Sequence, residues 1–262
     1  MVATIKRVPG LYLTAAPGAP SIVPTAEEDR IARLPGLVHY IEPDRMTGSP
    51  LSARDRATPG HLIATTDATI TLGAQAAYGG RQVLSKPNPN APLALTEGSV
   101  TPSWTIIIAA DIAAARYGAG STTNLFGTRG LNGNIEANFR FASGGWTFED
   151  DYDASGGHVL PLASGPLADV PAVWAISYDA ATRTSRISLN SADVLSSYVH
   201  ANAWVPPTPS TQWLIGGTNF GSANWQGRLG RALIFDRAYH LEPYTALLAR
   251  EVAALRTYYG LV

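Results

Sequence analysis

Val173-Trp174-Ala175-Ile176-Ser177-Tyr178-Asp179 alternates large apolar residues with small or polar ones at period two, the spacing that sets one face of a strand on a core and the other in water. Trp174, Ile176 and Tyr178 point one way, and Ala175, Ser177 and Asp179 the other. Asp179 to Thr184 supplies a polar turn, and Ser185 to Leu189 returns, so the pair reads as a β-hairpin. Downstream, Leu214-Ile215-Gly216-Gly217 and Gly227-Arg228-Leu229-Gly230-Arg231-Ala232-Leu233-Ile234-Phe235-Asp236-Arg237 place glycines inside strand patterns. Such glycines mark bulges, tight bends or close backbone approach, which two stacked sheets require.

The order of these pieces resembles the second half of laminin-G-like, concanavalin A-like jelly rolls. There a "W…Y-D" strand pairs with a strand ending at an asparagine turn, then comes "IGG", then a strand closing on Phe-Asp-Arg-Ala. Here Ala238-Tyr239-His240-Leu241 stands where that family has alanine-leucine-serine. The resemblance covers residues 100 to 260 well and 36 to 100 loosely. It implies an all-β, two-sheet antiparallel jelly-roll sandwich with an N-terminal extended arm and a C-terminal helix. Its motifs carry architecture and no catalytic residue.

Composition agrees with one turn-rich β core. The 262 residues are 45% hydrophobic and only 15% charged, with 25 Gly and 19 Pro. A net charge of −1 with scattered Lys and Arg gives no footprint for nucleic acid or anionic lipid. Ile106 to Ala110 is the most apolar run and falls far short of the ~18 residues that span a bilayer. The absence of cysteine rules out disulfides and thiolate metal sites. The opening residues lack an apolar signal segment, so cytoplasmic synthesis without a signal peptide is the expectation.

Along the chain, Pro9, Pro17, Pro20 and Pro24 suit an extended arm, and Thr25 to Glu28 fits a capping box before a short helix. This divides the chain into residues 1–35, a proline-rich arm with its helix, and 36–262, the jelly roll. Leu37 to Ile41, Thr69 to Leu72, Gly80 to Leu84 and Ser103 to Ala109 read as strands, with a long polar loop carrying Asp44, Arg54, Asp55 and Arg56 after the first. Tyr239 to Tyr259 reads as helix, because Leu241, Tyr244, Leu247, Leu248, Val252, Leu255 and Tyr258 recur at helical spacing with Arg250 and Glu251 outward. The family resemblance places that helix at the sandwich edge.

Three readings compete for Phe148-Glu149-Asp150-Asp151-Tyr152-Asp153: a solvated acidic loop, a cation site, or a catalytic row with Glu149, Asp151 and Asp153 on one strand face. The third carboxylate is one residue early and short for the β-glucanase pattern. The metal candidates are Asp150, Asp151 and Asp153, with Asp111 as a further ligand, and calcium is the one cofactor they suggest. His39, His61, His158, His200 and His240 are dispersed without paired ligand spacing and read as structural. Trp146, Trp204 and Trp225 sit among Gly, Asn, Ser and Pro, and flat sugar faces stack on such rings while amides hold hydroxyls. The ligand-binding candidates are therefore Trp146, Asn219, Asn224 and Trp225; the competing reading makes Trp225 a plug in the end of the sandwich.

No catalytic constellation emerges, which favours a non-enzymatic binding or structural protein. The arm and the missing signal suggest a phage-like virion component, a decoration, fibre or receptor-binding subunit. It would contact host-surface carbohydrate and tie to neighbouring subunits as a homo-oligomer in an extracellular particle. A free lectin-like carbohydrate-binding module is the alternative, and a glycoside hydrolase stands third.

Overall fold

The computed structural model describes residues 24–58, 60–65, 68–86, 93–95, 100–117, 123–129, 137–142, 145–150, 158–161, 167–201, 204, 212–217 and 225–261. Within these the alternating segments become strands β1 (Leu37–Ile41), β2 (Ser52–Arg54), β3 (Leu62–Thr65), β4 (Thr71–Gln75), β5 (Arg81–Lys86), β6 (Leu93–Leu95), β7 (Trp104–Ile112) and β8 (Thr123–Arg129). They continue as β9 (Ala137–Ala142), β10 (Gly145–Asp150), β11 (His158–Pro161), β12 (Ala172–Asp179), β13 (Thr184–Leu189), β14 (Ser196–Val199), β15 (Gln212–Ile215) and β16 (Gly227–Phe235). The helices are α1 (Ala26–Ile31), the single turn α2 (Ala114–Tyr117) and α3 (Thr245–Tyr259). The long polar loop expected after the first strand is thus broken by β2 and β3, which pair with each other.

Two eight-stranded sheets result, and their strand pairs are antiparallel. One runs β14-β13-β12-β7-β16-β5-β4, with β1 also paired to β16; the other runs β11-β10-β9-β8-β15-β6-β3-β2. Trp104, Ile106, Ile108, Trp174 and Ile176 of the first sheet meet Ile63, Leu125, Phe139, Trp213 and Ile215 of the second in one buried core. Trp104, Trp174 and Trp213 are core residues, as their strand contexts predict. The hairpin from β12 to β13 pairs Trp174 with Leu189 through Asp179 with Thr184. Asp179 closes its turn by accepting from the Thr182 backbone N–H at 2.8 Å and the Thr182 hydroxyl at 2.6 Å.

The first sheet departs from the half-buried pattern. Ala175 and Ser177, assigned to a wet face, are fully buried. Val173, Ala175, Ile107, Ala109, Leu233 and Phe235 form a second apolar cluster with Ile31, Leu34, Leu248, Val252, Leu255 and Tyr259. Helix α3 therefore lies across a sheet face instead of capping the sandwich edge. Period two shows only that the two faces of a strand differ; here the outer set is small and apolar enough to seat a helix.

The N-terminal boundary moves for the same reason. The capping box is present: Thr25 Oγ1 accepts from the Glu28 N–H and Glu28 Oε2 accepts from the Thr25 N–H. Yet Ile31 and Leu34 are buried in the outer cluster, so residues 25–35 belong to the body and not to an arm. The arm's residues 1–23 lie outside the described ones.

Two glycines confirm close approach. A Cβ on Gly227 would stand 2.2 Å from the Asp111 carbonyl, and one on Gly230 would stand 2.8 Å from the Tyr259 ring. Gly230 lies where the β16–β7 register shifts, between Leu229 and Ala232.

Candidate functional site

Of the candidate ligand residues, Trp146 and Trp225 fall within described elements or segments. Trp146 lies in β10 opposite Phe141 of β9, and Asp150 ends β10 opposite Ala137 and His158. Asn219, Asn224, Asp151 and Asp153 lie outside the described residues; of the row Glu149, Asp151, Asp153 only Glu149 is described, in β10 opposite Asn138 and Val159. Trp225 is a correction. It is fully buried within the inter-sheet core, its Cβ 3.6 Å from where a side chain on Gly216 would begin, and its backbone N–H donates to the Gly216 carbonyl at 3.0 Å. A ring with no exposed surface cannot stack on a sugar, so Trp225 is the plug. Trp204 is likewise buried, its backbone N–H donating to the Tyr178 hydroxyl at 2.8 Å.

Buried charge elsewhere is spent on scaffold. Asp111, a calcium candidate, accepts from the Arg228 backbone N–H at 3.0 Å and from Arg228 Nε at 2.6 Å. Glu42 accepts from Arg231 Nε at 2.8 Å and the Tyr40 hydroxyl at 2.7 Å. Glu28 receives Arg45 at 2.7 Å and Arg56 at 2.8 Å. Burial pushes the Glu28 carboxyl up, but these partners and the Thr25 N–H outweigh it and hold the group at about 2. Glu251, expected to face outward, is buried and receives Arg30 through two bonds of 2.6 and 2.8 Å. His240 bridges two buried hydroxyls, Ser177 Oγ at 2.6 Å and Ser188 Oγ at 2.8 Å. Burial, with Arg186 nearby, pushes its imidazole down to about 4, so it is neutral at ordinary pH.

The sequence reading missed one constellation. Among the described residues, His39 of β1 and Asp55 and His61 of the following loop come together, each offering a donor atom within 4.8 Å of the others. The loop itself makes this happen. The Asp55 N–H donates to the His61 carbonyl at 3.0 Å and the His61 N–H to the Thr58 carbonyl at 3.1 Å, setting both residues at the mouth of one tight turn. The Thr58 hydroxyl then ties that turn to the Val38 carbonyl of β1 at 2.7 Å. Asp55 Oδ1 accepts from the backbone N–H groups of Tyr40 at 3.1 Å and Ala57 at 2.9 Å, while Oδ2 lies 2.6 Å from His39 Nδ1. His39 and Asp55 are buried; His61 is half-buried, its ring centroid 6.2 Å from that of His39, and its Nδ1 is shielded from solvent without a hydrogen-bond partner. A separation of 22 residues between the histidines matches no short motif, so only the fold reveals the pairing.

No protein-family model matches the chain, and no curated protein matches it. Solved structures do. Trypanosoma rangeli sialidase in complex with 2,3-difluoro-KDN is similar with a TM-score of 0.55 at 15% identity, over 92% of this chain and 36% of that one. A mutant of the same sialidase displaying trans-sialidase activity gives 0.54 at 15% identity, over 83% and 33%. The Ruminococcus gnavus IT-sialidase CBM40 bound to α2,3-sialyllactose gives 0.46 at 12% identity, over 60% and 96%. The chain thus spans about a third of the Trypanosoma proteins and nearly all of the CBM40. At 15% identity the likeness to the Trypanosoma sialidase concerns fold alone, in keeping with the antiparallel, mostly β chain described above.

Proposed function

We propose that the chain is a non-catalytic carbohydrate-recognition module whose sheets form a lectin-like jelly roll of the concanavalin A and laminin-G kind. The observation that carries the non-catalytic part is the fate of the buried acids. Glu28, Glu42, Asp111 and Glu251 are each matched to arginine, Asp55 to His39, and Asp179 to its own turn. Most glycoside hydrolases use two carboxyl groups facing one another across a sugar, one of them free to give up a proton. Those six serve the scaffold instead.

The ligand class rests on the fold shared with part of a sialidase, on Trp146 and on the Asn and Gly content of residues 219–224. This reading favours a lectin-like module over a virion subunit. The tether role of residues 1–23 draws no support from the described residues.

A glycan array that includes sialylated oligosaccharides, run beside an assay for released sugar, tests the proposal. Binding without release is the expected result, weakened by Trp146→Ala, Asn219→Ala or Asn224→Ala at unchanged melting temperature. Trp225→Ala should instead destabilise the fold by about 3–5 kcal/mol, the cost of emptying a core tryptophan site. An array with no retained glycan, or sugar release by the unaltered chain, would overturn the proposal.

A further inference from the structure

We infer that His39, Asp55 and His61 form a binding site for one divalent transition-metal ion of the zinc type, clasping the loop after β2 onto β1. Three features point there. The donor set is two imidazole nitrogens and one carboxylate oxygen, which suits zinc with water as its fourth ligand. Calcium and magnesium prefer all-oxygen shells, so this triad is a poor match for either.

The acid is held ready. Its Oδ1 is fixed by two backbone N–H groups, which leaves Oδ2 directed at the histidines. Orienting contacts of this sort position a ligating carboxylate before the ion arrives. The third feature is His61 Nδ1, shielded and without a hydrogen-bond partner. Leaving a shielded polar nitrogen unpaired costs free energy, and a metal ion would satisfy it.

Modest movement completes the shell. Zinc bonds of about 2.0–2.1 Å place tetrahedral ligand atoms roughly 3.4 Å apart. The 2.6 Å His39–Asp55 contact must therefore open by about 0.8 Å, and separations of up to 4.8 Å must close by up to about 1.4 Å. The ion would enter on the side of half-buried His61, next to exposed Leu62. With His39 on β1 and Asp55 and His61 at the two ends of the turn, the ion would hold these two loop residues against β1.

The full chain, stripped of metal with a chelator, is titrated with zinc chloride and separately with calcium chloride by calorimetry and thermal unfolding. The expected result is one zinc per chain with a raised melting temperature, and no heat from calcium at the same concentration. His61→Ala should weaken zinc binding beyond the roughly 10–100-fold lost when an outer-shell partner is removed. Because the His61 side chain has no hydrogen bond to lose at Nδ1, the metal-free variant should melt near the unaltered chain. Zinc binding unaffected by His61→Ala, or equal competition by calcium, would overturn the inference. Should the variant fail to fold, cobalt(II) added to the unaltered chain decides: an intense tetrahedral visible spectrum displaced by zinc upholds the site, and its absence refutes it.

Discussion

His240 shows how a residue that looks incidental in sequence becomes a stability determinant. Its folded imidazole titrates at about 4 against an ordinary value of 6.5, because burial and Arg186 oppose the charged form. Between those values the unfolded chain takes up a proton that the folded chain refuses. Stability is accordingly full above about 6.5 and declines as pH falls toward 4, by on the order of 3 kcal/mol. Urea unfolding across that window should show the decline in the unaltered chain and a flatter profile in His240→Gln; parallel profiles would refute it. At this scale the sequence was informative about residue type and poor about environment. Trp225 sits among Asn, Ser and Gly, which looks like a surface loop, yet Leu229 and the core cover it. His39 and His61 looked dispersed because the turn that joins them is made by backbone hydrogen bonds that no side-chain pattern announces.

Helix α3 illustrates the limits of periodicity for a whole element. Its apolar spacing places it within the right stretch, and Leu248, Val252 and Leu255 are buried as that spacing requires. Glu251 is buried too: the adjacent Arg250 donates to it at 2.8 Å, and Arg30 of α1, 221 residues away and invisible to local pattern, supplies two further bonds. Arg30 keeps about a third of its side chain exposed, so its loss of a partner is softened by water. Glu251→Ala should cost about 2 kcal/mol, as expected for losing hydrogen bonds to a charged group. A double-mutant cycle with Arg30→Ala, read by denaturant unfolding, should return most of that as coupling. A coupling below about 0.5 kcal/mol would place the pair among ordinary surface ion pairs.

At the scale of the whole molecule, the β12–β13 hairpin and several single strands were legible, but the short strands β2 and β3 and the long-range partners were not. Strand β7 lies between β12 and β16, whose residues are some 60 to 130 positions away, and loop sequences do not encode such neighbours. The packing of the segment before residue 36 was hidden for a related reason: a proline-rich opening looks extended, while burial of Ile31 and Leu34 is decided by the sheet face they cover. A chain reduced to residues 36–262 should therefore be less stable than one retaining the helix, by about 3–6 kcal/mol for two buried aliphatic side chains. Comparing urea midpoints checks this, and equal midpoints would restore the boundary at residue 35.

The same doubly covered sheet raises a question of alignment. All nine residues of β7 are buried, so sliding the strand by one position would exchange one apolar set for another, and water-facing polarity cannot hold it in place. Two polar residues near opposite ends do so instead. Asp111 is locked to Arg228, directly across from it, and the Thr105 hydroxyl donates to the Arg237 carbonyl while accepting from the Tyr239 N–H. A slip would break both sets inside a dry interior, where unpaired groups are costly. The few hydrophilic residues in this strand are its registration pins.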